Sequence, residues 1–172
     1  MGKLILISGP NGSGKSRYAE SLFASAPPER YYIATMVPQT EENRRRIAKH
    51  RAQRADLGFE TVECPGPLSS VSVPPEGAVL LEDVSNLLAN AVFSRGETAE
   101  DVLGDILALR DRCALLTAVT IGGLSEEGYD GETREYILAL NALNARLEAL
   151  ADGSAVLSGG VPVWRKGGPD AL

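Results

Sequence analysis

KLILISGPNGSGKSRYAESLFA, residues 3–24, decides the fold. Lys3 to Ser8 is a short, unbroken apolar run of the kind found in a strand buried on both faces. It ends at Gly9-Pro10-Asn11-Gly12-Ser13-Gly14-Lys15-Ser16, which fits G-x-x-x-x-G-K-[ST], and helical composition follows from Ser16 to Ala24. Strand, glycine-rich turn and helix in that order make a phosphate cradle, the P-loop. Gly9, Gly12 and Gly14 let the loop turn its amides inward, and the start of the helix adds its dipole to bound phosphate. Lys15 is placed to reach the β- and γ-phosphates and the Ser16 hydroxyl to ligate Mg²⁺.

Working outward, the chain alternates short apolar runs with helical stretches. Tyr31–Ala34, Phe59–Val62, Ala78–Leu81 and Leu115–Ile121 read as strands, and Val84–Phe93, Thr98–Arg112 and Glu132–Ala151 as helices. Thr98 is a candidate cap, with Glu100 and Asp101 in the first turn. Gln39–Ala55 is rich in Arg, Glu, Ala and Gln, which suggests an exposed helix or one that covers a site. Pro65–Gly77 reads as a surface loop with room for one helical turn, and Gly122–Gly131 as a glycine- and acid-rich loop. Ala155–Leu157 and Val161–Trp164 flank Gly159-Gly160, where a hairpin turn fits. The expected fold is α/β: a mostly parallel sheet covered by helices on both faces, with a short antiparallel C-terminal edge. Ligands of such sheets bind beyond the carboxyl ends of the strands.

Composition agrees. The 172 residues suit a single nucleotide-binding domain over 1–172 and are 44% hydrophobic and 23% charged, which excludes a disordered chain. A net charge of -6 argues against a general nucleic-acid or membrane-surface binder. The start MGKLILISG is too short to span a membrane and lacks the features of a secretory signal. Two cysteines, Cys64 and Cys113, make neither a disulfide framework nor a CxxC metal pair. The expectation is a soluble cytoplasmic protein without a membrane segment.

A P-loop site needs an acidic residue at the end of a neighbouring strand, and Val79-Leu80-Leu81-Glu82-Asp83 offers two. Glu82 follows the apolar run directly and is placed for Mg²⁺ or a water; Asp83 is the alternative, or the cap of the next helix. The cradle does not name the acceptor, which could be water, a small-molecule hydroxyl or the protein itself. The only histidine, His50, lies in RRRIAKHRAQR (44–54). One reading is a solvated basic helix face with an incidental histidine. The other has the arginines and Lys49 hold triphosphate oxygens while neutral His50 attacks phosphorus.

Several segments, in order, resemble the bifunctional adenosylcobinamide kinase / adenosylcobinamide-phosphate guanylyltransferase family of cobalamin biosynthesis. LILISGPNGSGKSRYAESL resembles the family's first strand and P-loop, and YYIAT (31–35) its second strand. RIAKHRAQR (46–54) resembles the segment whose histidine takes up GMP, with His50 in that place. FETVECP (59–65), VLLEDVSNLLANAVF (79–93) and VLSGGVPVWRKG (156–167) resemble the segments that follow. The chain departs from the family's pattern at Ala55, where a proline is usual, and across Thr120–Asn144, where an Asn-Glu-Val-Gly stretch is replaced by an acidic loop.

The resemblance implies a RecA-like P-loop NTPase fold and two transfers at one nucleotide site. ATP or GTP phosphorylates adenosylcobinamide; His50 then takes GMP from GTP and passes it to the corrinoid phosphate. It implies catalytic roles for His50, Lys15 and Glu82, with Mg²⁺ on Ser16 and Glu82. Nucleotide contacts fall to Gly9, Pro10, Asn11, Gly12, Ser13, Gly14, Lys15, Ser16, Arg17, Arg51, Arg54 and Glu63. It also implies a homotrimer. Two other readings remain open on the residues alone: another P-loop small-molecule kinase or NTPase, and a non-catalytic nucleotide-binding regulator.

Overall fold

The computed structural model describes the backbone of residues 1–172 and every side chain except that of residue 171. Seven strands form one sheet: β1 (Lys3–Gly9), β2 (Arg30–Ala34), β3 (Phe59–Glu63), β4 (Ala78–Glu82), β5 (Leu115–Ile121), β6 (Gly153–Ser158) and β7 (Val161–Lys166). Five α-helices join them: α1 (Lys15–Leu22), α2 (Glu41–Ala55), α3 (Val84–Arg95), α4 (Ala99–Asp111) and α5 (Gly131–Leu150). The strand order is β3-β2-β4-β5-β1-β6-β7, all parallel except the final β6–β7 pair. This is the expected architecture, with the antiparallel edge where the Gly159-Gly160 turn put it.

The apolar runs are continuous because both faces of the sheet are covered. Successive side chains point to opposite faces. Leu4, Leu6, Val79 and Leu81 join Leu87 and Leu88 of α3, Ile106 and Leu109 of α4, and Leu140, Leu143 and Leu147 of α5 in one core layer. Ile5, Ile7, Ala78 and Leu80 enter the other, with Ala19 and Leu22 of α1 and Phe23, Phe59 and Tyr32.

Local signals set the helix ends. The Thr98 side chain accepts the Asp101 N–H and the Asp101 carboxylate accepts that of Thr98, a reciprocal cap for α4. Thr40 caps α2 in one direction only, by accepting from Asn43 N. Within 65–77 the one helical turn is a 3₁₀ turn at Leu68–Ser70.

The three loop glycines serve in two ways. Gly12 and Gly14 have φ of 74° and 85°, as the cradle needs, but Gly9 is the last residue of β1 and not a left-handed turn residue. Its missing Cβ is what matters. A Cβ there would lie 2.8 Å from the Leu157 carbonyl oxygen and 2.6 Å from Ser13 Oγ.

Register places the strand ends level. Glu63 pairs with Ala34, Ala34 with Glu82, Glu82 with Val119 and Val119 with Ile7, so β1 and β5 run two residues further to Gly9 and Ile121. Everything that follows at the carboxyl edge converges on this line. Among the described residues no helix is long and apolar enough to cross a membrane.

Candidate active site

Gly14 caps α1 in the left-handed conformation, and Lys15 opens the helix. Lys15 is 8% exposed, and its Nζ lies 3.4 Å from the Pro10 carbonyl across the loop. Ser16, next in α1, donates its hydroxyl to Glu82 Oε1 at 2.5 Å. That contact joins the P-loop to a strand that is not its neighbour, since β5 lies between β1 and β4.

Glu82 and Asp83 make different contacts. Asp83 Oδ1 accepts the Asn86 N–H at 2.7 Å and caps α3. Glu82 points to Ser16, and its second oxygen, Oε2, is buried with no hydrogen-bond partner. Burial pushes the Glu82 carboxyl up to about 8, and the charge of Asp83 adds to this; the Ser16 hydrogen bond and Lys15 oppose it. Asp83 is raised too, chiefly by burial, against the hydrogen bonds from Asn86. The peptide between them is cis and held by Thr35, whose Oγ1 donates to the Asp83 carbonyl at 2.9 Å and accepts its N–H at 2.9 Å.

A buried carboxylate oxygen without a partner beside a serine hydroxyl suits a hard cation with oxygen ligands. No cluster of three or more His, Cys, Asp or Glu suited to a metal occurs among the described residues. A cation here would therefore take much of its coordination from phosphate and water, the usual arrangement for Mg²⁺.

From this corner a cleft of about 310 Å³ opens between the carboxyl edge and α2. Ser16, His50, Arg54, Glu63 and Glu82, all anticipated, line it together. So α2 covers a site, and apart from Arg54 it has no buried residue. Arg54 is 7% exposed, with its guanidinium carbon 3.7 Å from the centre of the Tyr32 ring and its Nε unpartnered. A desolvated cation stacked on an aromatic face and facing a cleft is a ready partner for phosphate. Of the other anticipated residues, Gly9 to Lys15 form the P-loop preceding Ser16 and are not part of the cleft lining, and Arg17 and Arg51 do not line it either. Arg17 is exposed on α1, and Arg51 sits 3.8 Å from Glu63 in an exposed ion pair.

The lining also includes residues outside the candidate set, among them Glu20 and Tyr32. Glu20 was within reach: it stands four residues after Ser16 on α1, hence on the same face. Burial raises its carboxyl, while Arg54, His50 and Arg17 pull it down. Tyr32 gave no signal beyond its strand.

In the 120–144 stretch, Asn144 has a structural task. It accepts the Thr120 hydroxyl at 2.7 Å and donates to the Ile121 carbonyl at 2.9 Å, clamping the end of β5.

Comparison with known proteins agrees with this geometry. Residues 5–164 match the family described as cobinamide kinase / cobinamide phosphate guanyltransferase. The bifunctional adenosylcobalamin biosynthesis protein CobU of Salmonella typhimurium is 35% identical over 96 residues, covering 54% of this chain and 52% of the relative. The Escherichia coli protein of the same name matches to the same extent. The aligned part thus spans about half the length of these curated relatives. Among solved structures, an ATPase from the type III secretion system of pathogenic bacteria superposes with a TM-score of 0.55 at 13% identity, over 100% of this chain and 60% of that one. That likeness concerns the fold alone.

Proposed function

The chain belongs to the cobinamide kinase / cobinamide phosphate guanyltransferase family, and from that premise we propose that it carries out both transfers, the second through a guanylated His50. It is a nucleotide-dependent transferase acting on a corrinoid with ATP or GTP as donor. The observation that carries the reading is that His50 on α2 and the Ser16–Glu82 corner of the P-loop line one cleft.

In the kinase step the corrinoid hydroxyl attacks the γ-phosphorus, and the bond to the β-phosphate oxygen breaks. The loop amides and Lys15 hold the phosphates and face the charge that develops. In the guanylyl step a ring nitrogen of His50 attacks the α-phosphorus and pyrophosphate leaves. The corrinoid phosphate oxygen then attacks the same phosphorus and releases His50, leaving the GDP-linked corrinoid. Splitting one anion-on-anion transfer into two steps through a neutral nucleophile lowers the barrier to each. Arg54 holds a non-bridging oxygen beside the reacting phosphorus, and Glu63 fixes the far wall of the cleft with Arg51. Ser16 and Glu82 would hold Mg²⁺, which when bound neutralises phosphate charge. The same reading takes residues 1–172 as one nucleotide-binding domain that works as a cytoplasmic homotrimer.

The test is incubation with Mg²⁺ and GTP labelled at the α-phosphate, then denaturation and intact mass. The expected product is protein carrying one GMP, lost in acid and stable in base. Protein that binds GTP and stays unmodified would overturn the histidine step. The exposure of His50 favours one rival, a γ-phosphoryl transferase in which this residue is a bystander. That rival predicts release of γ-phosphate to an acceptor without any adduct.

A further inference from the structure

The β6–β7 hairpin touches the P-loop at its turn and α1 through Trp164. Gly160, in its turn, donates its N–H to the Ser13 carbonyl at 2.9 Å, and a Cβ on Gly14 would lie 3.5 Å from Gly160 Cα. One turn into α1, Tyr18 Oη accepts the Trp164 indole N–H at 2.9 Å across 146 residues of sequence. The two rings meet edge to face, with centroids 6.4 Å apart and an interplanar angle of 67°. Below them β6 pairs with β1 up to Ser8, and the bare Cα of Gly9 admits the Leu157 carbonyl.

A packing role alone would explain the buried face of Trp164. It would not require a hydrogen bond to the helix that presents Lys15 and Ser16, nor a second bond to the loop itself. The cradle's amides bind phosphate only if the loop and the first turn of α1 keep their relative positions, and the two bonds span that junction. We propose that the hairpin is a positioning element of the nucleotide site, with Tyr18 and Trp164 as the positioning pair that holds α1 against the loop. The inference rests on the P-loop binding nucleotide, as proposed above. Because coupling is reciprocal, nucleotide in the cradle stabilises the hairpin as much as the hairpin stabilises the bound nucleotide.

The experiment compares wild type, Tyr18→Phe, Trp164→Phe and the double variant. It measures the Kd for GTP with Mg²⁺, the rate of adduct formation at saturating GTP, and Trp164 emission. Tyr18→Phe keeps the ring and loses only the hydroxyl, so it guards against a trivial folding defect. Loss of one neutral hydrogen bond is worth about 1 kcal/mol, so each single variant should bind GTP about fivefold more weakly. The double variant should be no weaker than Trp164→Phe, and the rate at saturation should be unchanged. Trp164 emission should shift when wild type binds GTP and shift less in Tyr18→Phe. A Kd unchanged in Tyr18→Phe, or losses that simply add in the double variant, would overturn the pair's role while leaving nucleotide binding intact. Wild type that binds no GTP would sink both readings at once.

Discussion

His50→Ala should form no guanylylated protein and should lose corrinoid guanylyl transfer by roughly 10⁴-fold or more, the scale on which enzymes lose rate when a covalent nucleophile is removed. The kinase half-reaction should survive within a few-fold, because the γ-phosphoryl transfer uses the loop, Lys15 and the Ser16–Glu82 corner instead. His50 is exposed on a helix with one buried residue, so the substitution should leave the fold intact. Measuring both half-reactions on one preparation decides the matter. Equal loss of both would mean that His50 acts in binding, and loss of neither would return it to the helix surface.

Glu82→Gln should have the second largest effect, and a more informative one. Gln keeps the shape and can still accept from Ser16 Oγ, but it removes the negative charge that suits a cation. Both transfers should fall by roughly 10²–10³-fold, as when one charge-stabilising group is deleted from a site of this kind. Stability should move the other way in metal-free buffer. The folded carboxyl has its pKa raised to about 8 from 4.5, so Glu82 contributes stability below the lower value that is lost as pH rises through the higher one. The variant cannot ionise there. Its advantage over wild type should therefore grow between the two values and level off above them, which denaturant unfolding across pH would show. A wild-type stability that rises over that window relative to the variant would contradict the buried, unpaired carboxylate.

The parts of the site that were legible in the sequence are those whose meaning is local. The P-loop is eight consecutive residues, and its strand and helix follow from apolar period. Glu82 and Asp83 were legible as a pair because β4 ends there, but which one faces Ser16 and which caps α3 depends on strand-end register. His50 could be singled out by its basic surroundings and by resemblance, yet its position across from Glu82 depends on how α2 lies over the carboxyl edge. The stacking of Arg54 on Tyr32 and the reach of Trp164 to Tyr18 depend on the sheet's order. No short-range pattern reports that β6 lies beside β1, or that β5 separates β1 from β4. That a Cβ on Gly9 would be in the way was legible from the motif, but that the Leu157 carbonyl is one of the groups it would strike was not, because close approach of a distant strand leaves no mark on neighbouring residues.

The helix that carries His50 owes little to the apolar interior. Its Glu, Arg, Asn, Lys and Gln side chains lie outside the two core layers, and only Arg54 is inserted, by a cation stacked on a ring. The energy needed to lift such a segment from the sheet lies far below that of unfolding the whole chain, because few buried side chains are exposed by the lifting. The two half-sites therefore differ in thermodynamic character. The P-loop is held between β1 and α1, both anchored in the core layers, whereas His50, the proposed nucleophile, stands on a segment with one buried residue. On the proposed mechanism, opening of α2 would carry a guanylylated His50 away from the cradle and toward an incoming acceptor, with the sheet left in place.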